Sequence, residues 1–390
     1  MTRAASDIEL AIFTRLSEAD ADWQQLKDAG RGNPYQSLDW LRAWTETLGR
    51  QFKVEPVLVA WRRQGRTQVI LPLGLEHTAG IKALAFLGHQ HGNQNTGIWD
   101  RAFYDSVDAS EMSMLLRKVC ADVGADLLKL ENVPATWHGR PHPLVFEEAA
   151  PSPSPIFTRR LGNDFDALFR DTHSKSSRKN LLRKERHLQA AGNFRIAKAA
   201  QPREIENGLS TFLEQRELRA RESGVPNAFA TPAARSFLAR QLGLDDTMPA
   251  SLDLWYLETG GAIRATYLCA EQGDTIYAYS NSIAHDDMLP NSPGLVLIKE
   301  IIARACADER LQVLDLGLGD ERYKTSWAEP APLADSLLAV TAKGALKLKI
   351  VTTALKAKTM IRNSDILWPA VKRLRKWKAG LSKPDNQKSN

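Results

Sequence analysis

Cysteine is scarce in this 390-residue chain: Cys120, Cys269 and Cys306 are the only three. They are widely spaced among apolar neighbours, which excludes a disulfide framework and a zinc-finger spacing and reads as buried free thiols in a reducing compartment. Long hydrophobic runs are also missing. No apolar stretch approaches the roughly 18 residues that a bilayer span needs. Met1 to Asp7 carry no signal-peptide core, so a cytoplasmic protein is expected. Negative charge is missing from one region alone. From Thr341 onward thirteen Lys and Arg face only Asp365 and Asp385, a local +11 against +6 for the whole chain, which leaves −5 for the rest. The basic character therefore belongs to the tail, and a nucleic-acid-binding role for the whole chain is weakened.

What is present is ordinary globular material, 43% hydrophobic and 25% charged, long enough for two or three domains. Tyr35 to Leu48 reads as an amphipathic helix with Ser37 as cap. Val54–Trp61 and Thr67–Leu75 read as a hairpin, and Ile81–Gly88 as a third strand. A polar loop, His89 to Asn95, follows. Its two His at i, i+2 suit a hydrogen-bonded loop better than a metal site, though the loop can hold a ligand. Glu111–Gly124 reads as a helix and Leu127–Leu130 as a strand. Pro141–Pro155 is a Pro/Ala/Ser-rich linker.

The layout then repeats. After helices from Asn163, His173 and Ile205 and another restarted at Thr231-Pro232, strands are expected at Leu252–Glu258, Ala262–Ala270 and Thr275–Ser280. A polar loop, Asn281–Asn291, leads to a helix from Ser292-Pro293-Gly294 and a strand at Leu311–Leu316. The order matches the first half, so a structural duplication is inferred. The fold class is α/β (α+β): two halves, 1–150 and 151–340, each a mixed, mostly antiparallel sheet flanked by helices. Residues 341–390 form a basic tail. There Leu367, Val371, Leu374 and Trp377 share a helical face among lysines and arginines, with Pro369 interrupting. The pattern suits an anionic membrane surface, or a terminal helix packed on the body.

Candidate site residues cluster late in the chain. Ser292, Gly294 and Leu295 open a helix whose N–H groups can hold an anion, or Ser292 merely caps it. Asp315 lies inside an apolar strand, which implies a partner or a function. Beyond Gly317-Leu318-Gly319, Tyr323 can act as a general acid and Lys324 can stabilise developing negative charge. His285 is a weaker candidate beside Asp315 for orienting or deprotonating an acceptor. The helix 173–189 carries Lys175, Arg178, Lys179, Arg183, Lys184 and Arg186 against Glu185 alone. Arg178, Lys179 and Arg183 are therefore expected to bind an anionic acceptor.

The run Asp315-Leu316-Gly317-Leu318-Gly319-Asp320-Glu321-Arg322-Tyr323-Lys324-Thr325-Ser326-Trp327 resembles the terminal motif of the CelD/BcsL-type acetyltransferases. Ser292-Pro293-Gly294 and Ser176 to Arg183 resemble the same family in the same order. The family belongs to the GNAT superfamily and is similar to the FemAB-type aminoacyl transferases. The resemblance implies two tandem GNAT-like domains. It further implies a cytoplasmic acyltransferase with acetyl-CoA or another acyl-CoA as co-substrate and no metal. The acceptor would be an amine or hydroxyl of a small molecule or saccharide, in exopolysaccharide, cellulose or other envelope biosynthesis. Carried residue by residue, it points to Asp315, Tyr323 and Lys324. The chain departs from the usual GNAT phosphate loop, Q/R-x-x-G-x-G/A: it has one glycine, and Pro293 removes a donor. Two other readings stand beside it. One is aminoacyl transfer from tRNA through the same Tyr-Lys pair and basic helix. The other is a non-catalytic scaffold of a polysaccharide synthase complex, docked through the tail at the inner membrane surface.

Overall fold

The computed structural model describes residues 8–27, 30–78, 80–89, 91–224, 226–245, 248–319 and 321–350. The amphipathic pattern from Leu367 to Trp377 lies outside them. The first sheet is eight-stranded, and its main strands from the first half are β1 (Ile8–Phe13), β2 (Glu55–Arg63), β3 (Arg66–Thr78), β4 (Ile81–Phe86) and β5 (Leu127–Pro134). The first four form an antiparallel meander, and β5 joins β4 in parallel. The second sheet uses β6 (Ile156–Arg160), β7 (Arg195–Lys198), β8 (Asp253–Thr259), β9 (Ala262–Gln272), β10 (Thr275–Ile283) and β11 (Val313–Leu318). Here β7 to β10 repeat the meander and β11 joins β10 in parallel. The duplication inferred from the order of elements is therefore a duplication of topology.

One strand crosses between the halves. β6 opens the second half and lies antiparallel on β11 in the second sheet. β12 (Leu333–Ala339) follows the second half but returns to the first sheet, antiparallel on β5. β6 and β12 thus take the same position in their two sheets, each antiparallel on the strand that joins its meander in parallel. Leu333–Ala339 falls within 151–340, yet its ladder belongs with the first half.

Helices cover both sheets: α1 (Asp20–Lys27), α2 (Leu38–Trp44), α3 (Ala109–Asp122), α4 (Phe165–Thr172), α5 (Lys175–Ala190), α6 (Pro202–Ser223), α7 (Pro232–Gln241), α8 (Pro293–Ala307) and the short α9 (Lys324–Trp327). Ser37 caps α2 as expected, accepting from Trp40 N at 3.3 Å. The single helix expected over Tyr35–Leu48 is broken: a 3₁₀ turn precedes α2, and a π-turn over Thr45–Gly49 follows it. That bend keeps Trp40 and Trp44 both buried. Trp40 meets Phe237 and Tyr279 edge-on, each at 5.1 Å between ring centroids. Its ring joins first-half and second-half side chains into one core. Aromatic burial of this kind dominates packing energy, so the two halves are fixed against each other. On the opposite face of the second sheet, the basic helix α5 is held to α8 by a buried ion pair, with Lys299 Nζ 2.7 Å from Glu185 Oε2.

Among the described residues no helix is long and apolar enough to cross a membrane. Cys120, Cys269 and Cys306 are buried free thiols.

Candidate active site

β10 and β11 pair in parallel from Thr275–Val313 to Tyr277–Asp315. Beyond that register the ladder stops, although β10 runs to Ile283 and β11 to Leu318. The gap between them is where the candidate chemistry collects. Gly317 turns there with φ +69, a conformation that costs an L side chain about 1–2 kcal/mol. An added Cβ would also lie 2.3 Å from Asn93 Nδ2. Asn93 comes from the first half's polar loop and donates to the Tyr279 carbonyl at 3.3 Å and the Tyr35 hydroxyl at 3.1 Å. The loop that sequence reading offered as a ligand holder is thus partly a stitch between halves.

A cleft of about 250 Å³ opens beside the gap. Its walls include Tyr267, Tyr279, Asn281, Leu316, Tyr323 and Lys324 of the second half, Arg216 and Arg219 of α6, and His91 to Asn93 of the first half. The Tyr323 hydroxyl is 2.6 Å from the Tyr267 hydroxyl and within 3.5 Å of Asn281 Nδ2. Burial pushes the Tyr323 phenol well above its usual range. It therefore stays protonated at neutral pH, a proton donor rather than a base. Lys324 is buried and donates to the carbonyls of Leu318 and Gly317, and it pairs with Glu321 Oε2 at 2.9 Å. Its charge therefore clamps the glycine turn at the cleft wall. His91 is pushed down to about 4 by burial, and its Nδ1 accepts from Trp44 Nε1 at 3.2 Å. It is neutral and already engaged.

Asp315 does not face the cleft. Its Oδ2 accepts from Gln94 Nε2 and its Oδ1 from the Gly317 amide, both at 2.7 Å. Burial raises its carboxyl to about 6. The polar partner demanded by an aspartate in an apolar strand is Gln94, so Asp315 fixes the turn and the inter-half contact. His285 is also outside the cleft, paired with Glu222. The three basic-helix candidates are not brought to the cleft either. Arg178 donates to the carbonyls of Arg170 and His173, closing the α4–α5 corner. Lys179 and Arg183 are exposed, with Arg183 bonded to Asn180 Oδ1 at 2.9 Å.

The start of α8 lies against Ile283, the last residue of β10. Ser292 is left-handed, with φ +51 and ψ +57, and its side chain makes no capping bond. Its hydroxyl instead accepts from Lys184 Nζ at 2.7 Å. Leu295 N returns to Ser292 O at 2.9 Å. Pro293 has no N–H, so Gly294 supplies the amide left for a ligand in this first turn. A Cβ on Gly294 would meet Ile283 Cδ1 at 2.7 Å, so the glycine also lets α8 approach β10. No carboxylate pairs with Lys184 among the described residues. An amide, a hydroxyl and an ammonium without a carboxylate partner among the described residues thus lie at one helix N-terminus, a setting that suits an anion.

Residues 175–325 match the family model of an acetyltransferase (GNAT) domain. A conserved protein of unknown function from Bacteroides thetaiotaomicron VPI-5482 has a similar structure at TM-score 0.54. It shares 10% identity, over 85% of this chain and 100% of that one. The crystal structure of FemX gives the same TM-score and identity, over 85% of this chain and 97% of that one. Among curated proteins none matches the chain. At such identities the likeness is one of fold: two GNAT-like domains in tandem, the second carrying the matched acetyltransferase domain. Within that GNAT half, sequence reading missed Arg216, Arg219, Tyr267, Tyr279 and Glu321. Glu321 stood inside the quoted motif. The others carried no signal, since each becomes a cleft residue only through pairing or packing.

Proposed function

We propose that the protein moves an acyl group from an acyl-CoA to an amine or hydroxyl, with the second half catalytic. The observation that carries this is the open gap between β10 and β11, with the buried Tyr323–Tyr267 hydroxyl pair on the cleft wall and the Ser292–Lys184 corner beside the end of β10. In this reading the donor phosphates rest against Gly294 N–H, Ser292 and Lys184, and the thioester lies in the gap. The acceptor nucleophile attacks the thioester carbonyl carbon, a new C–N or C–O bond forms, and the C–S bond breaks. Tyr323 gives its proton to the leaving thiolate, and the one proton that the acceptor loses returns to Tyr323 by way of Tyr267, solvent or Glu321, which lines the same cleft. Lys324 holds the turn and adds positive potential where the oxyanion develops. Asp315 is a positioning residue.

Acetyl-CoA as donor, a saccharide acceptor, and a cytoplasmic role in exopolysaccharide or cellulose biosynthesis at the inner membrane surface follow the CelD/BcsL-type resemblance. The test is thiol release from acetyl-CoA against a panel of amine and hydroxyl acceptors. Turnover that survives Lys324→Ala and Tyr323→Phe at full rate would sink the assignment. The exposed cations of α5, Lys175, Lys179, Arg183 and Arg186, favour one other donor, a charged tRNA. Co-purified aminoacyl-tRNA, lost on Arg183→Glu and Lys179→Glu, would replace acyl-CoA as the donor.

A further inference from the structure

We infer that the acceptor is held by an anionic group, a carboxylate or a phosphate, seated on Arg216 and Arg219 beside the Tyr279 hydroxyl, close to the nucleophile it presents. The inference rests on the acyl-transfer reading and names the substrate class for the same cleft.

Arg216 lies on α6 next to that helix's buried face. Its guanidinium carbon is 5.4 Å from the Phe229 ring centroid and 5.9 Å from that of Phe212. Nη1 donates to the Asn281 carbonyl at 3.3 Å. Aromatic walls and a carbonyl orient the group without neutralising it. Burial and the like charge of Arg219 both push its pKa down, yet an arginine stays charged. No carboxylate pairs with Arg216 or Arg219 among the described residues, and Glu321 on the cleft wall is taken by Lys324. The Glu321 charge reaches Arg216 across the cleft but forms its ion pair with Lys324, so two guanidinium groups in one concave site, without a carboxylate in contact among the described residues, make a receptor for an anion.

A second observation is independent of charge. Tyr279 lines the same cleft, is 8% exposed, and its hydroxyl has no hydrogen-bond partner among the described residues. Buried hydroxyls are ordinarily satisfied, and an unsatisfied one costs about 1–3 kcal/mol. The Arg216 charge acts directly on this phenol. An oxygen that ligates Arg216 from the cleft would also give Tyr279 its partner.

Asn281 sets the scale of the acceptor. Its carbonyl receives Arg216, and its amide reaches the Tyr323 hydroxyl at 3.5 Å. One residue, through its backbone carbonyl and its side-chain amide, therefore spans from the anion seat to the proposed proton donor. The acceptor's nucleophile and its charge must sit on one compact unit, such as an amino acid, a uronic acid or a sugar phosphate.

The test is isothermal titration of the full chain with glucose, glucuronate and glucose 6-phosphate. These share a ring and differ in having no charge, a carboxylate or a phosphate. At least one charged probe should bind about tenfold or more tightly than glucose, since charge-assisted bonds are the strong ones. The stronger of the two identifies the group. Arg216→Gln should abolish that preference, Arg216→Lys should restore part of it, and Tyr279→Phe should weaken the charged probe about threefold. Far-ultraviolet melting curves confirm that each variant is folded. Equal binding of all three probes, binding of none, or an undiminished preference in folded Arg216→Gln overturns the inference. Charged probes that bind through Arg216 without any acyl-CoA turnover would keep this seat and remove the acyl-transfer reading. Turnover of neutral acceptors unaffected by Arg216→Gln would do the reverse.

Discussion

The two halves share one strand order and differ in what becomes of the gap where their parallel strands part. In the first half β4 and β5 separate after Ala85–Lys129. The loop that follows folds straight back. Asn95 N donates to the Asn132 carbonyl at 3.0 Å and Asn95 Nδ2 to the Glu131 carbonyl at 2.9 Å. His89 settles between Glu76 and Glu131, at 2.8 and 3.4 Å, and Lys129 pairs with Glu131 at 2.9 Å. Every charge there has a partner. In the second half the equivalent gap stays open, among the described residues the Tyr279 hydroxyl has no hydrogen-bond partner and Arg216 no carboxylate, and residues of the first half form part of the wall. The same scaffold thus stabilises itself where its polar groups are satisfied and binds where they are not.

The sharpest break in that comparison is expected from a pair of substitutions. Tyr323→Phe removes one oxygen from the cleft and should lower kcat about 100-fold, the usual lower range for losing a general acid, with little change in melting temperature. His89→Gln removes the central charge of the filled gap. It should leave kcat intact and cost on the order of 2 kcal/mol of stability, because Glu76 and Glu131 lose their shared partner. Steady-state kinetics and denaturant titrations on both variants decide it. If His89→Gln lowers kcat as much as Tyr323→Phe, the first half is not merely support.

The halves should also lose stability in different pH windows. Burial raises Asp315 from 3.8 to about 6, so the native state holds a proton that the unfolded chain has released. Stability should fall as pH rises from about 4 to about 6 and then level, by on the order of 3 kcal/mol. Burial alone would lower His89, but its bonds to Glu131 and Glu76 reverse this and raise it. Its contribution is complete below pH 6.5 and is lost as pH rises through the raised value. Glu131 works at the other end. Burial opposes its ionisation, yet the His89 bond and Lys129 bring it down to about 2, so its stabilisation is present above about 4.5 and fades toward pH 2. Urea unfolding across pH should show that Asp315→Asn flattens the 4-to-6 segment only, whereas His89→Gln flattens the segment above 6.5 and weakens the acid segment that Glu131 owes to its His89 bond. An unchanged pH profile in Asp315→Asn would mean that the Gln94–Asp315 contact does not carry the proton.

Glycine gives a smaller contrast. Gly317 and Gly124 both sit at positive φ, +69 and +66, but Gly124 has nothing within 4 Å of an added Cβ, whereas Gly317 faces Asn93 Nδ2 at 2.3 Å. Gly124→Ala should cost about 1 kcal/mol, the conformational term alone. Gly317→Ala should cost roughly 2–3 kcal/mol, since Asn93 must also withdraw from between the strands. Equal losses in thermal melts would show that Asn93 is not wedged there.

Much of the scaffold was legible because the meanders carry local signals. Gly260-Gly261 sits at positive φ between β8 and β9, as a two-residue hairpin turn demands. The pairings of β6 and β12 were not legible. β6 is five residues long at the end of a Pro/Ser-rich linker, and β12 pairs Leu333 with Pro134 across the whole second half. No local pattern records such a partner. The site divides in the same way. Tyr323 and Lys324 stand in one motif, and both line the cleft. Arg178 looked equally functional on a basic helix, but the free carbonyls at the end of α4 claim it. Arg216 looked like one of many charges on α6, and only the packing of Phe229 against it reveals a guanidinium with no acid. Asp315 was rightly odd in an apolar strand, yet its partner Gln94 lies 221 residues away.

The smallest expected effect concerns the corner where the second half departs from the usual phosphate loop. Lys184 reaches Ser292 from α5, and the rest of that helix's positive charge faces away from the cleft. If Lys184 stands in for the missing glycine amides, Lys184→Met should raise KM for acyl-CoA about three- to tenfold and leave kcat unchanged, since a phosphate contact distant from the thioester binds ground and transition states alike. The effect should shrink as salt is raised, because the lysine is only half-buried. Arg183→Met, one residue earlier on the exposed face, serves as control and should change neither constant when acyl-CoA is the donor. A fall in kcat in Lys184→Met with KM unchanged would assign this lysine to holding α5 on α8 and leave the donor phosphates to another part of the gap.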